Sequence, residues 1–266
     1  MLKARILTAC LLIPIVFWLI FFAKPLIFLQ ATIVILLLAS WEWSRLMGLT
    51  HLGARLLYFY LICVCQALAF MMNPLWIMWV SAIWWCVAFC LVLVYPRYVF
   101  WRSMFIRGLM GALVLIPCVI ALNRIRAFDD GNRVLFYLLL LIWLADTAAF
   151  FVGRRFGVTK LAPRVSPGKS VQGVIGACVC TLIFSAAIAF FYQHDLLKGQ
   201  AVWFIGISLI TVLFSVLGDL FESMLKREIG VKDSGNLLPG HGGILDRIDS
   251  LTAAAPLFLM GLLFLK

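Results

Sequence analysis

The sequence predicts an all-α polytopic membrane protein of about nine transmembrane helices, with its N-terminus cytoplasmic and its C-terminus periplasmic. Three observations carry that prediction. Only 12% of the 266 residues are charged and 65% are hydrophobic, against about 25% charged in soluble domains, and the mean hydropathy is +1.11. The apolar residues fall into runs near the roughly 20 residues that cross a hydrocarbon core as a helix. The lysines and arginines between those runs are unequally distributed, which sets orientation.

The runs cover approximately residues 6–22, 26–41, 55–72, 75–95, 108–123, 134–152, 171–192, 201–218 and 248–265. The first follows Lys3 and Arg5 as a signal peptide would, but no small-residue cleavage site comes after it and AKPLIFLQ leads straight into more apolar sequence. It is read as a retained anchor. With the N-terminus inside, only Lys24, Arg124, Arg126, Arg133, Lys198 and Lys266 of the 22 basic residues fall outside. Shifting the count by one span destroys that agreement. The +11 net charge is therefore loop asymmetry, and a nucleic-acid partner is not expected, because no soluble domain presents a basic face. Cys10, Cys63, Cys65, Cys86, Cys90, Cys118, Cys178 and Cys180 all lie in apolar runs without metal-ligand spacing and are expected to be small buried hydrophobes.

Two regions follow. Residues 1–130 form an N-terminal transmembrane region of about five helices whose inside loops read as ordinary anchors. Its segment RYVFWRSMFIRG has the basic, aromatic composition of an interfacial helix. Residues 131–266 form a C-terminal transmembrane region where the polar residues become specific. Asp146 interrupts the sixth run, and an acid inside a span is costly enough, about 2.5–3.5 kcal/mol at the centre, to imply a functional site; pairing with Arg154 or Arg155 is the plain alternative. Next, KLAPRVSPGKSVQG combines Pro163, Pro167 and Gly168 with Ser166, Lys169 and Ser170 ahead of a helix N-terminus, a generic anion-binding arrangement that lacks the P-loop spacing. A basic inside loop with a turn is its plain alternative.

Charge concentrates between Ser223 and Asp249, where eight of 27 residues are charged. Asp219, Glu222 and Lys226 share one helical face, and Ser223 and Arg227 are neighbours four apart. Asp246 and Asp249 are one turn apart at the start of the ninth run. Two helix ends thus present acids to a junction that also holds Lys226, Arg227, Lys232 and Arg247. Such acids suit Mg²⁺, which takes one or two protein carboxylates and completes its shell with water and substrate phosphate. Between them, Pro239, Gly240, Gly242 and Gly243 allow backbone N–H groups to approach an anion. His241 is open to three readings: general base, phosphate donor or turn residue.

These residues resemble the phosphatidate cytidylyltransferase family, also called CDP-diacylglycerol synthase. The family pattern runs through Ser223, Lys226, Arg227, Lys232, Asp233, Gly235, Leu238, Pro239, His241, Gly242, Gly243, Asp246, Arg247 and Asp249, and every fixed position is met. The elements DTAAFFVGRRFG and LAPRVSPGKS are also similar to the family's. Gln172 departs from it, since many relatives carry Glu there. The resemblance implies transfer of a cytidylyl group from CTP to phosphatidic acid, giving CDP-diacylglycerol and pyrophosphate, with Mg²⁺ and a monovalent cation such as K⁺. It implies a homodimer in membrane lipid, here a bacterial inner membrane, with the site facing the cytoplasm. Carried over, Asp219, Asp246 and Asp249 are metal carboxylates and catalytic. Lys226, Arg227, Lys232 and Arg247 contact phosphates, Ser166, Lys169 and Ser170 hold nucleotide or lipid phosphate, and Asp146 is a supporting acid. Ser223, Asp233, His241, Gly242 and Gly243 complete the substrate site. A transporter would instead place acids at mid-depth and repeat broken helices in both halves. A non-catalytic assembly factor would not need these acids and bases together. A different phospholipid or isoprenoid acceptor is the alternative within the enzyme class.

Overall fold

The computed structural model describes residues 2–97, 100–192, 200–238 and 240–265; Pro239, Lys198 and Lys266 lie outside them. Among the described residues, nine long helices follow in order: α1 (Leu2–Phe21), α2 (Pro25–Leu46), α3 (Leu52–Met71), α4 (Pro74–Val94), α5 (Met104–Arg126), α6 (Gly131–Phe156), α7 (Val171–Tyr192), α8 (Ala201–Glu228) and α9 (Leu245–Leu263). Prolines open α2 and α4, where the missing N–H would have had no helical partner, and the Asn73 side chain accepts from Leu75 N–H at 2.9 Å to cap α4.

The protein is a nearly all-helical, multi-pass membrane protein. Helices α2 to α8 are each long and apolar enough to cross a membrane. Helix α1 contributes a shorter apolar stretch, Cys10–Phe21, and α9 carries Asp246, Arg247 and Asp249 in its first five residues. Large apolar side chains such as Leu57, Tyr60, Ile83, Phe150, Ile183 and Phe190 are exposed on the outer faces, as in a protein whose solvent there is lipid. Four cysteines correct the expectation of burial: Cys10, Cys65, Cys86 and Cys90 are exposed, and all eight are free thiols. In lipid an exposed thiol costs no more than an alanine, so nothing drives it inside.

The all-α expectation is corrected in one place. Between α6 and α7 the chain forms a two-stranded antiparallel hairpin, β1 (Lys160–Ala162) and β2 (Ser166–Ser170), with Lys160 opposite Ser170 and Ala162 opposite Ser166. Pro163 and Pro167 exclude helix there, and two short strands satisfy the backbone instead. The segment read as an interfacial helix also folds otherwise. Among its described residues, Phe100–Arg102 form a 3₁₀ turn and Met104 begins α5; Trp101 is fully buried, and Arg102 pairs with Glu228 at the end of α8. Burying the indole anchors the turn to the protein rather than to headgroups.

One apolar core runs from Ile20 to Leu259. Helix α9 packs on α8, α5, α4 and α2, so residues 1–130 and 131–266 share it. The α8–α9 crossing is close because Gly218 has no side chain: a Cβ there would collide with the Asp249 carbonyl and press on Ala253. Small residues permit such contacts in membranes. At 28 residues, α8 is about 42 Å long, against about 30 Å of hydrocarbon. If Ala201 begins the span, the turns from Asp219 to Glu228 stand at or beyond its boundary.

Candidate active site

The close crossing at Gly218 sets the acids of α8 beside those of α9. Lys226 is their pivot: its Nζ lies 2.7 Å from Asp246 Oδ1 and 3.3 Å from Glu222 Oε1. Glu222 is buried, and its carboxyl meets that of Asp249. Asp219 is an electrostatic neighbour of Asp249; it accepts from Ser223 Oγ at 3.2 Å and pairs with Lys169 Nζ at 2.8 Å. Asp146 has Lys169 and Asp219 as its charged neighbours, rather than Arg154 or Arg155. Asp146, Lys169, Asp219, Glu222, Ser223, Lys226, Asp246 and Asp249 therefore form one continuous polar constellation from α6, the hairpin, α8 and α9. Beside Asp146, Thr147 only returns its hydroxyl to the Trp143 carbonyl at 2.7 Å.

The remaining predicted residues are mostly engaged in shaping the loops. Asp246 Oδ2 accepts from Gly243 N–H at 2.8 Å and Ser234 N–H at 3.0 Å, and Oδ1 also accepts from Ser234 N–H at 3.2 Å. Burial alone would raise the Asp246 carboxyl, which sits ahead of the apolar run from Ile248, but these donors and Lys226 hold it below the ordinary carboxylate range. The Gly243 N–H, expected to face an anion, is thus spent inside the fold. Arg247 grips the His241 carbonyl with Nε at 3.1 Å and Nη2 at 2.6 Å, and His241 Nδ1 is buried without a partner. Arg227 Nε donates to the Val165 carbonyl at 3.4 Å, tying α8 to the hairpin tip. Ser170 caps α7, accepting from Gly173 N–H at 3.2 Å. Ser166 pairs in β2, Lys232 and Asp233 are exposed, and Gly242 takes a left-handed φ of 83° beside Asp233. Gln172 Oε1 accepts from Val158 and Thr159 N–H at 3.2 and 3.1 Å. That is an acceptor's task and needs no charge, so an amide meets it.

Sequence reasoning missed Glu42. The second run was ended at residue 41, but α2 continues to Leu46 and brings Glu42, 1% exposed, into the 234–245 loop. The signal was present: Glu42 is the only acid before Asp129, and an acid joined to an apolar run is a functional hypothesis by default.

An apolar cavity of about 880 Å³ opens beside the constellation, between α4, the hairpin, α7 and α8. Leu213, Val216, Leu217 and Leu220 form one wall, Cys86, Phe89 and Leu93 another, and Arg97 and Arg164 lie at its rim. Val216 joins the two features: it lines the cavity, and its carbonyl lies 3.5 Å from Lys169 Nζ.

Comparison with known proteins settles the relationship. The model of the cytidylyltransferase family matches residues 3–265. The chain belongs to that family. It is 38% identical to the phosphatidate cytidylyltransferase of Haemophilus influenzae, covering 97% of each chain, and 40% identical to that of Pseudomonas aeruginosa, covering 97% of this chain and 96% of the relative. The Staphylococcus aureus enzyme of the same name is 46% identical over 130 residues, 48% of each chain. The cytidylyltransferase match extends through the first half of the chain, where the sequence offered only a hydropathy profile.

Proposed function

We propose that this protein is a phosphatidate cytidylyltransferase, transferring the cytidylyl group of CTP to phosphatidate to form CDP-diacylglycerol and pyrophosphate. The observation that carries the reading is the juxtaposition of a carboxylate–lysine constellation with a lipid-sized apolar cavity at one end of the bundle. The family relationship supports it. One substrate is soluble and the other anchored in the bilayer, so their reacting atoms meet only at the headgroup plane. Phosphatidate is a phosphomonoester with a second pKa of about 6; its oxygen attacks the α-phosphorus of CTP, one P–O bond forms, and the bond to the β-phosphate breaks. No strong base is required, which makes His241 a positioning or phosphate-contact residue. The barrier is repulsion between polyanions and charge growing on pyrophosphate, which fixed cations relieve. Lys169 and Lys226 are the cations already held in the constellation.

Mg²⁺ fits these residues as a partner shared with substrate. No three His, Cys, Asp or Glu side chains among the described residues are arranged to close on a metal, yet Glu222 brings a buried carboxyl against that of Asp249, with Lys226 as its cation partner. One or two carboxylates among Asp219, Glu222 and Asp249 would hold it together with substrate phosphate and water, while Asp246 would first have to share its donors. When bound, Mg²⁺ would neutralise phosphate charge. A K⁺ ion beside it, a homodimer, nine spans with the N-terminus inside, and an inner-membrane location with the site facing the cytoplasm belong to the same proposal.

The test is pyrophosphate release from CTP and dioleoyl phosphatidate by purified protein, with and without Mg²⁺, for wild type and Asp249→Asn. Release that needs both substrates and Mg²⁺, and that falls by about 10²-fold or more in the variant, is expected. Membrane-impermeant CTP should serve inside-out vesicles but not right-side-out ones. An inactive wild type across several lipid acceptors would return the chain to the transporter or assembly readings.

A further inference from the structure

We propose that Glu42 is a positioning residue for the reaction, holding the 234–245 loop, and through it Asp246, in place from the other half of the molecule. Its carboxylate is buried in α2, and the hydrogen bonds it receives come from one place. Oε2 accepts from Ser234 Oγ at 3.0 Å and Leu245 N–H at 2.8 Å, and Oε1 from Ile244 N–H at 3.0 Å.

Those amides are the first of α9, whose N-cap Ile244 supplies no side-chain acceptor. Helix starts leave such N–H groups without helical partners, and the helix dipole favours an acid there. The cap for α9 is therefore delivered by a residue about 200 positions earlier. Two acids divide the work: Asp246 takes the Gly243 N–H and Glu42 takes the next two. Ser234 links them, donating its N–H to Asp246 and its hydroxyl to Glu42. One turn further along α2, Arg45 Nη1 lies 3.5 Å from the Ser234 carbonyl.

The loop is also shaped around this acid. A Cβ at Gly235 would collide with the Glu42 carboxylate, and one at Gly243 would collide with it and with the Ser234 hydroxyl. Gly235 and Gly243 are thereby explained by the approach of Glu42, and not by the approach of substrate. Asp246 in turn holds Lys226 at 2.7 Å, so the chain Glu42, Ser234, Asp246, Lys226 links α2 to the constellation without Glu42 reaching substrate. Reacting groups displaced by about 1 Å lose roughly 10²-fold in rate.

The kinetic half of the test rests on the proposed activity and the exchange half on geometry alone. Glu42→Gln keeps the side chain's size but turns one acceptor into a donor facing N–H groups. Expected for folded, monodisperse Glu42→Gln is a kcat at least tenfold below wild type with both KM values within threefold, and faster amide exchange confined to residues 234–246. A kcat equal to wild type, or a loss that tracks only the fraction of folded protein with unchanged local exchange, overturns the proposal and leaves Glu42 a buried cap. If Glu42→Gln cannot be purified folded, Ser234→Ala decides: a several-fold kcat loss with unchanged KM supports the link, and unchanged kcat overturns it. Failure of the cytidylyltransferase reading is seen separately, in an inactive wild type.

Discussion

Lys226 shows how much one side chain holds at this site. Its side chain is 11% exposed and those of Asp246 and Glu222 are 8% and 3%, so removing the ammonium would leave two buried acids without their cation. Breaking such a pair typically costs about 3–5 kcal/mol. Lys226→Met is therefore expected to lower the melting temperature in detergent sharply, as well as to abolish turnover. The exposed Arg133–Asp130 pair is the control: surface pairs contribute about 0–1 kcal/mol, and Arg133→Ala should leave both readouts near wild type. The Gln172 amide makes the complementary point, since the Val158 and Thr159 N–H groups need only an acceptor and no charge.

At the scale of elements, the α8–α9 crossing decides the distance between Asp219 or Glu222 and Asp249. Gly218→Ala places a methyl against the Asp249 carbonyl, and the helices can accept it only by separating. Turnover is expected to fall by about 10²-fold while α-helical circular dichroism is retained. Wild-type turnover in Gly218→Ala would mean that the acids tolerate separation and do not act together. The hairpin is the second positioning element. It delivers Lys169 to Asp219 from one strand while Arg227 holds its tip from α8.

Across the whole molecule, the cavity matters because both regions build it: α4 from the first, the hairpin, α7 and α8 from the second. Its basic rim and apolar interior match an anionic headgroup with acyl chains. Leu213 lines it and is 47% exposed, so Leu213→Trp narrows the space without disturbing the core. The expected result is a rise of about tenfold in KM for dioleoyl phosphatidate, the order a few methylenes are worth in an apolar pocket, with KM for CTP unchanged. Equal effects on both substrates would remove the acyl chains from this cavity.

The sequence by itself determined the membrane class, the positions of the helices and the concentration of acids and bases after residue 219. Each of these follows from local composition and from spacings of three or four residues along one helix. It also marked Asp146, Lys169, Asp219, Ser223, Lys226, Asp246 and Asp249, which the fold does bring together. Only the tertiary structure decided which loop groups are spent internally: Gly243 on Asp246, Arg247 on His241, Arg227 on Val165 and Ser170 on α7. Of these, the Arg227–Val165 bond joins segments far apart in the chain, while the others close turns of three to six residues whose polar groups the sequence alone left free for substrate. Glu42 is the extreme case. Its neighbours in sequence are tryptophans of a membrane helix, and its partners lie about 200 residues away, so its role exists only once α2 and α9 have packed into one core.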